Sequence, residues 1–188
     1  MSVKSKNPRV LMIGPSLESK GGIATVERQL VDLLPKAGVT LEFLSTYNDG
    51  GKPKKLAIAA SSYFKFCHML PRFEVVHVHM ASRGSYERKK VFIRYALSKG
   101  KRVVIHFHSG EFDIWFNQES DDAKREEIRG LFGAVDAVIV LSEEWRDWMK
   151  AHGFHPKRLI VMHNGVSVPA KACTPRSYQD VLFLGRLD

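Results

Sequence analysis

The sequence predicts an α/β fold, a Rossmann-like doubly wound parallel sheet with helices on both faces. Short apolar runs alternate with helix-length amphipathic segments along the 188 residues, which is the βαβ pattern of a sheet covered on both sides. The composition, with 44% hydrophobic and 26% charged residues, is that of a globular protein. The chain is therefore long enough and apolar enough to bury a substantial core.

Seven apolar runs are the predicted strands. They are RVLMI (9–13), LEFLS (41–45), VVHVHM (75–80), RVVIHF (102–107), AVIVL (137–141), LIVM (159–162) and VLFL (181–184). This number of strands is typical of Rossmann-like sheets.

The first predicted helix follows the first strand. Its apolar residues Ile23, Val26, Leu30, Leu33 and Leu34 recur at helical spacing. We expect this stripe to pack against the sheet.

A second helix is predicted between the third and fourth strands, with the apolar face Val91, Phe92, Tyr95 and Ala96. Four basic residues are expected to face water on the other side. They are Arg88, Lys89, Lys90 and Arg94.

A third helix is predicted from the spacing of Trp145, Trp148, Met149 and His152. Ser142 is a candidate N-cap, because its hydroxyl can accept a hydrogen bond from the first turn. Gly153 suits a left-handed helix stop.

The chain divides into three parts at the level of composition. Residues 1–165 form the predicted Rossmann-like domain, and VSVPAKACTPRSYQD (166–180) has the prolines and small residues of an interdomain connector. Residues 181–188 then read as the first strand of a second, truncated domain.

Charge and cysteine content restrict the partners and the compartment. Twenty-nine Lys and Arg against 20 Asp and Glu give a net charge of +9, which suits an anionic ligand, a membrane surface or nucleic acid. The two cysteines, Cys67 and Cys173, form no C-x-x-C pair, and the N-terminus lacks the apolar segment of a signal peptide. We therefore expect a cytoplasmic protein.

Two adjacent glycines, Gly21 and Gly22, precede the first predicted helix. Glycine permits close backbone approach to an anion, and the free N–H groups at a helix start attract phosphate. The spacing matches neither G-x-G-x-x-G nor the P-loop pattern, which disfavours a nicotinamide enzyme and a P-loop ATPase. A diphosphate site and a purely steric turn remain as the two interpretations.

Two H-x-H pairs end adjacent predicted strands, His77 with His79 and His106 with His108. If the chain crosses over the first strand after the second, the strands are neighbours and their loops converge beside the glycine turn. A metal site is disfavoured, because zinc would need all four rings in tetrahedral geometry. We expect core hydrogen bonds to satisfy His77 and His106, and assign function to His79 and His108 at the strand exits.

Six motifs in order resemble the amino-terminal domain of a retaining glycosyltransferase of family GT4, with GT-B architecture. They are GGI (21–23), VVHVH (75–79), HFHSGEF (106–112), AVIVLSEEW (137–145), HNGV (163–166) and FLGRL (183–187). The histidine motifs look most like bacterial polysaccharide-assembly members of the family.

The resemblance implies two Rossmann-like domains facing a cleft, of which this chain supplies the first, acceptor-side domain. It implies that Gly21, Gly22 and Arg186 hold the diphosphate of a nucleotide-sugar donor. It also implies that His108 lies near the transferred sugar as the catalytic residue, with no metal and no cofactor. The 188-residue chain alone is then expected to be inactive, because the donor domain is incomplete.

The resemblance implies a glycan or polyprenyl-linked acceptor. Positive charge clusters at residues 52–55, 83–94 and 99–102. These basic segments leave two interpretations open, a peripheral position on the inner face of the plasma membrane or a solvated basic face. The aromatics of FDIWF (112–116) fit core packing or contact with a sugar or lipid.

Other functions stay open at this stage. One is a non-catalytic module that binds anionic glycan or nucleic acid, although the absence of any nucleic-acid-binding signature disfavours the latter. Another is a different GT-B enzyme, such as a phosphorylase or a sugar-nucleotide epimerase.

Overall fold

The computed structural model describes residues 7–47, 52–108 and 110–165, with only the backbone described at residues 47, 52–57 and 59. The connector predicted at 166–180 and the strand predicted at 181–184 lie outside the described residues. The other six predicted strands are present.

The six strands form one parallel sheet in the order β2-β1-β3-β4-β5-β6. Their bounds are β1 Arg9–Pro15, β2 Thr40–Tyr47, β3 Val75–Met80, β4 Arg102–Phe107, β5 Ala137–Val140 and β6 Leu159–Val161. The predicted crossover past the first strand is confirmed, because β3 pairs with β1 and β4.

The connections between strands are helical. Their bounds are α1 Gly22–Lys36, α2 Lys52–Met69, α3 Gly84–Ser98, the short α4 Phe112–Ile114, α5 Asp122–Ala134 and α6 Glu143–Ala151. One π-helical turn, Trp115–Glu119, continues α4.

Helices cover both faces of the sheet, as predicted. From β1 to β2 the chain moves toward one edge of the sheet, and from β2 onward it moves toward the other edge. Because connections between parallel strands are right-handed, α1 lies on one face of the sheet and α2, α3, α5 and α6 lie on the other. The main core lies on the second face, where alternate strand residues such as Val76, Val78, Val103 and Ile105 pack with side chains of those four helices. The intervening residues of β3 and β4, the histidines among them, therefore point to the α1 face.

The predicted apolar face of α3 is wrong at two positions. Val91 is 43% exposed, whereas Lys89 is only 2% exposed. The buried side of α3 consists of Tyr86, Lys89, Phe92, Ile93 and Ala96. Lys89 turns inward because it has polar partners beneath the helix, and Val91 takes the solvent side.

The predicted stripe of α1 also needs correction. Leu33 is 56% exposed, while Glu27 is fully buried next to Val26. An acidic side chain thus lies between this helix and the sheet, in a position that the apolar pattern alone would give to a hydrocarbon.

The third predicted helix, α6, has the expected ends. The side chain of Ser142 accepts a hydrogen bond from the Trp145 amide, and Gly153 adopts a φ of 77° after the helix. Core packing is the outcome for the aromatics of FDIWF, since Phe112, Trp115 and Phe116 are buried.

Candidate functional site at the carboxyl edge of the sheet

The strand order reverses at β1, since β2 lies on one side of it and β3 on the other. In open parallel sheets, ligands bind outside the carboxyl ends of the strands at such a switch point. The loops that follow β1, β3 and β4 lie at this edge. They carry the glycine pair and the ends of both histidine motifs.

Gly21 and Gly22 begin α1 and are both exposed. Gly21 has a φ of 142°, a conformation that L-residues with a Cβ rarely adopt. A Cβ at either glycine would meet no atom within 4 Å in the described part of the chain. Packing therefore does not require glycine at position 22, and the helix start offers open N–H groups to a ligand.

Arg28 braces the loop that leads to the glycine pair. Its guanidinium donates to the Leu17 carbonyl and to the hydroxyl of Thr25, the latter at 3.0 Å. The hydroxyl of Thr25 in turn donates to the Gly21 carbonyl at 3.2 Å. These bonds fix the approach to α1 independently of any ligand.

A buried polar group lies beneath the start of α1. Glu27 packs directly on Gly14 of β1, where a Cβ would fall 1.5 Å from its Oε1 atom. Lys89 donates a hydrogen bond to Thr46, whose hydroxyl donates to the Gly14 carbonyl at 2.9 Å. The carboxyl end of β1 is thus surrounded by the carboxyl group of Glu27, the hydroxyl of Thr46 and the amine of Lys89.

Burial dominates the electrostatics of this group. It raises the pKa of Glu27 to about 8, against the opposing effect of Lys89. Burial likewise lowers the pKa of Lys89 to about 7, partly offset by Glu27. Burial therefore favours the neutral form of both side chains, and the opposite charges of the two groups partly offset this effect.

Glu27 and Lys89 were not among the predicted site residues. The signal was present, since Glu27 lies four residues after Ile23 and three before Leu30, on the apolar stripe of α1. Lys89 similarly falls at the spacing of Tyr86, Phe92 and Ile93, on the inward face of α3. Charged residues at stripe positions mark candidates for buried polar sites.

Four imidazole rings lie together on the α1 face of β3 and β4. They are His77, His79, His106 and His108, with exposures of 8%, 1%, 0% and 7%. Strand register places His79 opposite His106. The ring centroids of His106 and His108 are 4.5 Å apart, and those of His79 and His108 are 5.1 Å apart. The predicted convergence of the two motifs is confirmed.

The expectation that core hydrogen bonds satisfy His77 and His106 is wrong. Among the described residues, Nε2 of His77 and both ring nitrogens of His106 lack a hydrogen-bond partner. In the strand register His77 lies opposite Met12 and Val104, and His79 lies opposite His106. These neighbours offer the rings no carboxylate or amide side chain, and the rings stack on one another. The Nε2 atom of His79 is unpartnered in the same way.

His108 and His79 do share a hydrogen bond, 2.9 Å between Nε2 of His108 and Nδ1 of His79. The backbone amide of His108 donates to the Met80 carbonyl at 2.8 Å, which fixes the start of the loop after β4 against the end of β3. Burial lowers the pKa of His108 to about 3. The ring is therefore a neutral hydrogen-bonding group rather than a cation.

The loops after β3 and β4 are joined by Arg83. Its guanidinium donates to Glu111 at 2.7 Å and, through Nε, to Glu119 at 2.9 Å. The hydroxyl of Ser82 also donates to the Gly110 carbonyl at 2.8 Å. Arg83 and Glu111 both have positive φ, 49° and 47°, so this connection holds two backbone positions in a conformation that non-glycine residues seldom adopt.

Comparison with known proteins identifies the family. The family model for Glycosyltransferase Family 4 matches residues 20–168, which is most of the chain. The chain belongs to glycosyltransferase family 4. The matched range of this family 4 domain includes the glycine pair and the four clustered histidines.

Two further comparisons add little to the family 4 assignment. The domain is similar to a solved 2-deoxyribosyltransferase from Bacillus psychrosaccharolyticus, with 10% identity, 78% of this chain and 98% of that chain covered, and a TM-score of 0.44. A search of curated proteins found no match.

The basic residues of the family 4 domain are largely paired where the structure describes them. Lys90 and Arg94 of α3 both contact Glu127 of α5, at 2.9 Å and 2.8 Å, and Lys89 is buried. In the described ranges, no helix has the length and hydropathy needed to cross a bilayer. Arg186, the third predicted diphosphate contact, lies outside the described residues.

Proposed function

We propose that this family 4 domain is the amino-terminal half of a two-domain GT-B glycosyltransferase, which transfers a sugar with retention from a nucleotide-sugar donor to a glycan or polyprenyl-linked acceptor. One observation carries the proposal. The open glycine start of α1 and the linked rings of His79 and His108 lie at the same carboxyl edge, at the switch point of the sheet.

The diphosphate is assigned to the start of α1. Transfer breaks the bond between the anomeric carbon and a diphosphate oxygen, so negative charge grows on the leaving group. The unhindered N–H groups at Gly21 and Gly22 and the positive end of the helix dipole stabilise that charge. Arg186 is proposed as the cation that completes this site from the second domain.

His108 is assigned to the sugar. A neutral ring can donate to or accept from a hydroxyl, and the bond to His79 leaves Nδ1 as the nitrogen for this contact. The acceptor hydroxyl then attacks the anomeric carbon on the face that the diphosphate leaves, and its proton passes to the departing phosphate oxygen. Retention follows from attack on that face.

The proposed acceptor is a glycan or a polyprenyl-linked sugar at the inner face of the plasma membrane, in polysaccharide biosynthesis. The net charge of +9 supports an anionic partner.

The test is to incubate the complete enzyme, including a full donor domain, with a panel of UDP-, GDP- and ADP-sugars and polyprenyl-linked acceptors. We expect a glycoside whose anomeric configuration, determined by proton NMR, equals that of the donor. The purified 188-residue chain should fold cooperatively and transfer no sugar.

Three outcomes contradict the proposal. Turnover by the 188-residue chain would show that the site is complete without the donor domain. Release of sugar phosphate or an epimerised nucleotide would assign a phosphorylase or an epimerase. Binding of RNA or DNA with a steep salt dependence and no transfer would assign a binding module.

A further inference from the structure

The histidine cluster contains a set of ligand atoms that the transferase chemistry does not use. We propose that His77, His79 and His106 form a binding site for a transition-metal ion of the zinc type. One ligand nitrogen of each ring can be chosen so that all three lie within 4.8 Å of one another. This inference does not depend on the proposed transfer reaction.

The arrangement follows from strand geometry. His77 and His79 are two residues apart on β3 and share a face, and His106 is directly opposite His79 on β4. The three ring centroids form a triangle with sides of 4.7, 4.8 and 5.6 Å. The rings of His77 and His106 are stacked and nearly parallel, with 5° between their planes, so they must rotate for both to direct a nitrogen at one ion.

Unpaired nitrogens in a buried position point to a ligand. A buried polar atom without a partner destabilises the fold, and natural proteins rarely leave several together. Here four such nitrogens occur in three rings, in the part of the chain that the structure describes. A metal ion would satisfy three of them at once.

The chemistry of the set favours zinc, cobalt, nickel or copper over magnesium or calcium. Neutral imidazole is a good ligand for the former, whereas the latter prefer oxygen. Burial keeps the rings neutral, which metal binding requires. Three imidazoles are a known zinc set that leaves one position open.

His108 has a separate role in this site. If Nδ1 of His79 donates to Nε2 of His108, the Nε2 atom of His79 keeps its lone pair for the metal. A hydrogen bond of this kind orients a ligand ring and fixes its tautomer. Nitrogens bound to tetrahedral zinc are about 3.3 Å apart, given bonds of about 2.0 Å. The three rings would therefore move slightly closer together on binding.

The experiment measures metal on the purified 188-residue chain after chelator treatment and dialysis against zinc. We expect about one zinc ion per chain by mass spectrometry of the metal. We also expect a tetrahedral d–d absorption band with cobalt, and a melting temperature that rises with zinc but not with magnesium. His77→Ala and His106→Gln should lose the band, and His108→Ala should weaken zinc binding by about 10- to 100-fold.

His155→Ala is the matched control, because His155 is exposed and outside the cluster. It should bind zinc as the wild type does. The proposal is overturned if the wild type binds no zinc and shows no cobalt band, a result that does not depend on how the variants fold. It is also overturned if a folded His77→Ala/His106→Gln double variant, checked by circular dichroism, retains the zinc.

Discussion

The Nε2 atom of His108 lies 2.9 Å from the Nδ1 atom of His79, and both rings are buried. One nitrogen must donate and the other accept, so the tautomer of one ring determines that of the other. A residue of β3 therefore controls which proton the residue after β4 can offer to a sugar.

His108→Ala removes the proposed contact to the transferred sugar. In the complete enzyme we expect kcat to fall by about 10²- to 10³-fold, the loss typical of one transition-state hydrogen bond. Steady-state kinetics check this, with His155→Ala as the unchanged control. Activity within twofold of wild type would remove His108 from the site.

Gly22→Val places a branched side chain where the diphosphate is expected. A Cβ at Gly22 meets no described atom within 4 Å, so the fold should tolerate the change while kcat/KM for the donor falls by about 100-fold or more. Gly130→Val is the matched control, because Gly130 is a helical glycine with equally open surroundings in α5. Equal effects of the two substitutions on kcat/KM would contradict the diphosphate site.

Gly14→Ala tests the contact between β1 and α1. The new Cβ would fall 1.5 Å from Oε1 of Glu27, so we expect a loss of about 1–3 kcal/mol in the free energy of unfolding. Combining it with Glu27→Ala should relieve that contact, and urea denaturation of all four chains measures the coupling. Strictly additive losses would mean that the two residues are not in contact.

Lys89→Met tests the buried pair beneath the glycine turn. The substitution removes the charge interaction of Lys89 with Glu27 and its hydrogen bond to Thr46, and we expect a loss of about 3 kcal/mol in the free energy of unfolding. The Glu27→Gln/Lys89→Met double variant should lose much less than the sum of the two single variants in urea denaturation. A double variant as unstable as that sum would show that the side chains act independently.

Glu127→Gln tests the link between α3 and α5. Hydrogen bonds from Lys124 and Lys90 lower the pKa of Glu127 to about 2. The folded pKa is thus below the unfolded one, so the carboxylate stabilises the fold above about pH 4.5 and this contribution is lost as the pH falls toward 2.

Stability curves for wild type and Glu127→Gln should therefore differ by about 1 kcal/mol at pH 7 and converge at acid pH, because partly exposed ion pairs contribute little. Urea titrations between pH 3 and pH 7 provide the measurement. A difference in the free energy of unfolding that is constant over this pH range would show that Glu127 is not the titrating group.

The sheet could be predicted from the sequence because each strand is a short, mainly apolar run. The convergence of the histidine motifs followed from the same prediction, since adjacent parallel strands end at one edge. The hydrogen bonding of His77 and His106 could not be predicted, because it depends on which side chains the register places beside them.

The burial of two charged side chains was also not predicted from the sequence. Hydropathy assigns Lys89 and Glu27 to water, yet both are buried at the end of β1. Lys89 has a hydrogen bond to Thr46 there, whereas the carboxylate oxygens of Glu27 have no hydrogen-bond partner among the described residues. Helical spacing contained the correct answer for both residues. The prediction placed both residues in water because their side chains are charged, whereas the structure buries them according to their position along the helix.

The guanidinium of Arg83 contacts Glu111 and Glu119 across the loops that follow β3 and β4. These exposed ion pairs connect the segment that follows β3 to the segment that follows β4. An acceptor bound at this edge, as proposed above, would therefore meet two chain segments that are already linked by Arg83 and by the hydrogen bond from Ser82 to Gly110.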